Sequence, residues 1–196
     1  SSLLDSFKRS ILIHYGIRGE DSVGVCTQLT ARLPDLPTPA VLHITQYLYG
    51  GFDKMYPDHL PPNTNHWGTT AEFTNFLAHA KARGLLTMPY TNPTFWGEYP
   101  RGPYFTANGE DGLQRNLTNG ITLEDYFGNA GYTVTPWHPE VQAANTNTVH
   151  QFLTDYPVDI LFEDQIGART WIYDLNPASP TPYAYMAGNT ARAAED

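Results

Sequence analysis

Four short apolar runs of β type, separated by stretches that hold a helix or a long loop, constrain this chain more than any other feature. They fall at residues 40–49, 85–91, 131–136 and 158–162. Thr69 to Glu72 reads as a capping box, and Phe73, Phe76, Leu77 and Ala80 then recur at helical spacing up to Gly84. A second helix is expected over 139–156, with Pro139 suited to its first turn. Strand, helix, strand, loop, strand, helix, strand implies right-handed parallel crossovers, hence an α/β fold.

Upstream, residues 3–15 show mixed helix-like periodicity, and 16–39 are broken by glycines and prolines into a connection. Two regions are therefore expected: an N-terminal helix and connection over 1–39, and parallel (βα) units over 40–196. Pro89 removes a ladder donor, so it belongs near a strand end or at a bulge. Residues 92–129 read as loop with a helical turn near 123–127. A full eight-stranded α/β barrel needs about 250 residues, whereas this sequence yields about four strands. The expected architecture is a partial barrel, completed by another chain (self-association included), by a missing portion or by its own loops, with a small open sheet as the competitor.

Composition narrows the function. The chain has 196 residues, 41% hydrophobic and 13% aromatic, which excludes a disordered segment. A net charge of −9 without any basic run argues against nucleic acid as a partner. The longest apolar runs are far short of the roughly 20 residues a bilayer needs, so no membrane partner is expected. Neither a signal peptide nor a lipidation motif is visible. The chain reads as soluble, with secretion or a cell-surface place in a longer chain left open. It also starts without Met, which points to processing or a fragment. The lone Cys26 reads as buried bulk, and the Asn116 sequon carries little weight. The seven histidines have no compact metal spacing, and phosphate-loop, dinucleotide and serine-elbow motifs are missing, so no metal or cofactor is expected.

The chemistry is expected where the run 158–162 ends in Glu163, Asp164, Gln165 and then Arg169. In parallel α/β proteins the loops after strand C-termini build the site. Alternation puts Ile160, Phe162 and Asp164 on one side, opposite Leu161 and Glu163, so one carboxylate of the pair points inward. A plain structural role, pairing with Arg169 or capping the next turn, is the alternative. Tyr47, Trp67, Tyr90, Trp96 and Trp137 are candidates for a sugar platform, each also a candidate for core packing. Asn92, His138 and Asp53 with Lys54 are candidates for contacts to sugar hydroxyls, with a structural histidine and a solvated ion pair as the alternatives. The segment 174–183 reads as an ordered proline-rich loop or a linker.

Together, Gly50-Gly-Phe-Asp-Lys-Met-Tyr-Pro-Asp58, Leu60-Pro-Pro62, Met88-Pro-Tyr-Thr-Asn-Pro93, Gly131-Tyr-Thr-Val-Thr-Pro-Trp-His-Pro139 and Phe162-Glu-Asp-Gln-Ile-Gly-Ala-Arg169 resemble the catalytic barrel of large bacterial and metagenomic glycoside-hydrolase-like proteins. The resemblance spans roughly residues 40–188 and covers the first half of that barrel. It implies a glycosidase acting on O-glycosidic bonds of a carbohydrate, with Asp164 as nucleophile or charge stabiliser after the fourth strand and Gln165 beside it. A second carboxylate is then required, about 5 Å away for retention or roughly 6.5–9.5 Å for inversion. Asp53, Glu98 and Asp174 lie in loops on the expected side, but later strands are the other source. A carbohydrate-binding or structural half-barrel without turnover, or a fragment inactive alone, is the rival reading.

Overall fold

The computed structural model describes residues 2–15, 23–51, 53–156 and 158–195. In chain order the elements are α1 (Ser2–Arg9), β1 (Ile11–Tyr15), α2 (Val25–Arg32), β2 (Ala40–Ile44), α3 (Thr70–Ala82), β3 (Leu85–Thr91), β4 (Phe95–Gly97), α4 (Pro103–Asn108), β5 (Leu123–Tyr126), β6 (Asn129–Thr133), α5 (Pro139–Thr154), β7 (Phe162–Glu163) and α6 (Tyr185–Glu195). Contacts divide the chain into two compact units: one comprises 1–52, 60–91 and 151–162, the other 53–59, 92–150 and 163–196.

The first unit carries the parallel sheet. Its order is β1-β2-β3-β7, and the four parallel strands form a curled half-barrel in an α/β fold. The expected count of strands holds, but their identities differ. Residues 3–15 are not one helix: α1 stops at Arg9, and β1 pairs with β2 from Ile11↔Ala40 to Tyr15↔Ile44. Ser10 separates the two, its hydroxyl donating to the Ser6 carbonyl at 2.8 Å. The connection expected over 16–39 contains α2; residues 16–22 of it lie outside the described residues. β2 ends at Ile44 rather than Tyr49, and Pro89 sits opposite that last residue, where its missing N–H matters least.

Helix α3 forms as its sequence dictates. Thr69 Oγ1 accepts from Glu72 N–H at 3.2 Å, while Glu72 Oε2 accepts from Thr69 N–H at 2.7 Å. Phe73, Phe76, Leu77 and Ala80 are all buried, and the Phe73 ring stacks on Tyr47 at 5.4 Å. Cys26, buried on α2, is structural bulk, and burial pushes its thiol up to about 12. Tyr15, Leu42 and Ile44 line a small apolar gap with Leu29, Leu33 and Phe76, so these strand residues face the helices. By alternation, Leu12, His14, Val41, His43, Met88 and Tyr90 face the inner side of the curl.

The second unit departs from the sequence-based expectation. Residues 131–136 do not add a parallel strand: β6 is the centre of an antiparallel sheet ordered β4-β6-β5. The helical turn expected at 123–127 is instead β5 and the start of a two-residue hairpin. Phe127 and Gly128 have φ of 57° and 84°, the two positive values that a right-twisted hairpin turn requires. Gly131 is required where β6 crosses β4, because a Cβ there would collide with the Phe95 ring and the Trp96 carbonyl. Trp96, Phe105, Leu113, Val134, Val141 and Ala144 form this unit's apolar core. Of the strand expected at 158–162 only Phe162 belongs to a ladder. Asp159 and Ile160 lead into it through N–H bonds to the Thr87 carbonyl of 3.3 and 3.1 Å.

Candidate active site

Of the residues singled out by sequence, the second unit holds Asp53, Asn92, Trp96, Trp137, His138, Glu163, Asp164, Gln165 and Arg169, along with Lys54, Glu98 and Asp174. Asp164 follows β7, the fourth parallel strand in chain order once β1 replaces the run at 131–136. Both Glu163 and Asp164 are half-buried and have partners. Gln165 adopts φ 66°, a left-handed conformation uncommon without glycine, and its carbonyl accepts from Ala168 and Arg169 N–H at 3.1 and 3.0 Å. This turn reverses the chain at once after Asp164 and carries Arg169 inward.

Arg169 is the hub of a buried polar chain. Its Nη1 donates to both Glu124 carboxylate oxygens and to Thr133 Oγ1, all at 2.8 Å, and its Nε donates to Thr94 Oγ1 at 3.1 Å. Nη2 is buried and has no hydrogen-bond partner among the described residues. The Thr94 hydroxyl donates to Asn92 Oδ1 at 3.0 Å, and Asn92 N–H donates to His59 Nε2 at 3.2 Å. His59 Nδ1–H donates in turn to the Pro57 carbonyl at 2.8 Å. These roles require a neutral imidazole, and burial lowers the His59 pKa to about 4. The sequence placed Asn92 and Arg169 in the site but missed Thr94, Glu124 and His59, the residues that join and fix them. Neither a threonine in the turn between β3 and β4 nor one acidic residue in a hairpin strand carries a motif.

The loop carboxylates are differently engaged. Glu98 accepts from Arg101 Nε at 2.6 Å, and Arg101 reaches Glu110 at 2.8 Å, so Glu98 is held in an ion-pair network. Asp174 is 1% exposed; Oδ1 accepts from Asn176 and Arg115 N–H at 3.0 and 3.3 Å, and Oδ2 has no hydrogen-bond partner among the described residues. Asp53 is buried, with φ 56°, its N–H donating to Tyr56 Oη at 3.1 Å.

The aromatic candidates differ in burial. Tyr47 and Trp67, in the first unit, and Trp96, in the second, are fully buried, and Tyr47 donates its hydroxyl to the Tyr90 carbonyl at 2.6 Å. These rings have no face left for a ligand. Tyr90, 3% exposed, stacks on Phe162 at 5.7 Å within the first unit. Trp137 is half-buried, its indole N–H bonded to the Ala184 carbonyl at 2.9 Å.

His138 lines the second unit's open cleft of about 700 Å³, together with Asp111, Arg115, Asn119 and Asn176. The cleft wall is tied by hydrogen bonds: Asn176 Nδ2 donates to the Asp111 and Leu113 carbonyls at 2.6 and 2.8 Å, and Leu175 N–H to the Arg115 carbonyl at 2.8 Å. The loop 174–183 is thus ordered, closed by Asp174 N–H on the Pro182 carbonyl at 3.0 Å. Carboxylate, guanidinium, imidazole and amide groups thus surround an open volume.

No family model matches the chain, and no curated protein matches it in sequence. Solved structures do. An alpha-N-acetylgalactosaminidase from Bifidobacterium bifidum in complex with GalNAc superposes with TM-score 0.78 at 12% identity, over 95% of this chain and 32% of that one. An alpha-galactosidase from Thermus thermophilus in complex with p-nitrophenyl alpha-D-galactopyranoside gives 0.65 at 14% identity, over 94% and 35%. An alpha-galactosidase from Geobacillus stearothermophilus in complex with raffinose gives 0.65 at 14%, over 95% and 26%. The chain has a glycoside-hydrolase-like fold and spans about a third or less of the length of these enzymes.

Proposed function

We propose that this chain forms the first half of a glycosidase barrel that hydrolyses O-glycosidic bonds, with Asp164 as nucleophile or charge stabiliser. The observation that carries the reading is the place of Asp164, directly after the fourth parallel strand of a half-barrel whose structural neighbours are sugar-cleaving enzymes. Glu163 lies on the opposite face of β7 by alternation and takes a supporting role. Gln165 holds the turn, and the Asn92–Thr94–Arg169–Glu124 chain fixes the polar wall. The acid partner comes from outside this set, since Glu98 is committed to Arg101. His138 and its cleft hold sugar hydroxyls.

A second reading has its own support: the chain spans about a third of its neighbours' length, which favours a half-barrel that binds sugar without turnover. A screen of aryl alpha-galactosides, aryl N-acetyl-alpha-galactosaminides and polysaccharides, with turnover and binding read in parallel, separates the two. Turnover by the wild-type chain supports the enzyme; sugar binding with no turnover on any substrate supports the binding module and sinks independent catalysis.

A further inference from the structure

A pair of histidines in the first unit belongs to none of the machinery above. His14 and His43 are register partners on neighbouring parallel strands, penultimate residues of β1 and β2, and both face the inner side of the curl. Their Nδ1 atoms lie 3.2 Å apart, within hydrogen-bond distance, with ring planes 69° apart. Twenty-nine residues separate them in sequence, which is why spacing alone shows no metal motif.

We propose that His14 and His43 chelate a divalent transition-metal ion of the imidazole-preferring kind, Cu²⁺, Ni²⁺ or Zn²⁺. Metal–imidazole bonds of about 2.0–2.1 Å meeting at roughly 90–110° place their two nitrogens about 2.9–3.4 Å apart. The observed 3.2 Å falls within that range. In the metal-free chain the same pair forms an N–H···N hydrogen bond, one ring donating to the other, so uptake of the ion replaces that proton. His14 is exposed and gives the ion access, whereas His43 is 8% exposed and fixed by ring contacts to Phe162 at 4.6 Å and Tyr90 at 6.4 Å. One ligand is thus preorganised and the other reachable. No third His, Cys, Asp or Glu among the described residues completes a cluster, so water or a ligand oxygen fills the remaining positions. Such an open site can present a bound ion to a hydroxyl or carboxylate.

The test is direct titration of the chelator-treated chain with Cu²⁺, Ni²⁺ and Zn²⁺, with Mg²⁺ as a hard-cation control. The expected result is one ion per chain, Cu²⁺ tightest by the general affinity order, and no competition from Mg²⁺. The Cu²⁺ electron paramagnetic resonance spectrum should show coupling to two imidazole nitrogens. His14→Ala should weaken binding by more than the roughly 10–100-fold lost when only an outer-shell partner is removed, and His43→Asn should do the same. His79→Ala, on the surface of α3, should leave it unchanged. No uptake of any of the three ions overturns the proposal, as does uptake that survives His14→Ala. Neither result bears on Asp164.

Discussion

The two units follow different rules. In the first, β2 and β3 are buried almost throughout, each reads as a nearly continuous apolar run, and the helix between them carries its own capping box. In the second, β4, β5 and β6 are three to five residues long, contain glycine and polar side chains, and rely on a buried Arg169–Glu124 pair and a core around Trp96. A scaffold held by apolar burial is written in the local pattern. A region held by polar connections among distant residues is not.

Substitutions sharpen that contrast. Phe73→Ala removes a fully buried ring from the first unit and should cost about 3–5 kcal/mol in chemical denaturation; a loss below 1 kcal/mol would show that apolar packing does not dominate there. Glu124→Ala leaves Arg169 buried without its carboxylate. The cost should lie toward the lower end of about 3–5 kcal/mol, because the Glu124 side chain is 26% exposed. Glu124→Gln, which keeps one acceptor, should recover part of it.

The next effect is a pH dependence confined to the second unit. The folded pKa of His59 lies near 4, below its unfolded value of 6.5, so the unfolded chain binds the extra proton between these values. Stability should therefore fall as pH drops through that window, by about 2 kcal/mol between about pH 7 and pH 5 from this group alone. His59→Gln should flatten the profile; an unchanged slope would remove His59 from the polar chain. The smallest effect is expected at the α3 cap, where Thr69→Ala should cost about 1 kcal/mol in the first unit, recovered largely by Thr69→Ser.

What the sequence disclosed follows the same division. The runs at β2 and β3, the α3 cap, the start of α5 at Pro139 and the strand end at Asp164 were legible because each is a local apolar or capping pattern. β1 was not, because α1 and β1 meet at Ser10 with no glycine or proline between them to break the pattern. Residues 131–136 read as a parallel strand since a single strand does not reveal its partners. The β5–β6 hairpin was hidden by its turn, Phe127-Gly128, where Asn-Gly or Asp-Gly is the usual signal. In the site, Asn92, His138 and Arg169 stood out as polar residues at strand ends. Asp111, Arg115 and Asn176, which line the cleft, stood out by no motif because separate loops bring them together.

Asp164 is the residue on which the proposed hydrolysis depends. Turnover of aryl alpha-galactosides and aryl N-acetyl-alpha-galactosaminides by the wild-type chain and by Asp164→Asn, with sugar affinity measured on both, tests it most directly. The account predicts a loss of more than about a thousandfold in turnover, roughly 4 kcal/mol of transition-state stabilisation, with sugar affinity retained. Turnover within a few fold of wild type in Asp164→Asn would contradict it.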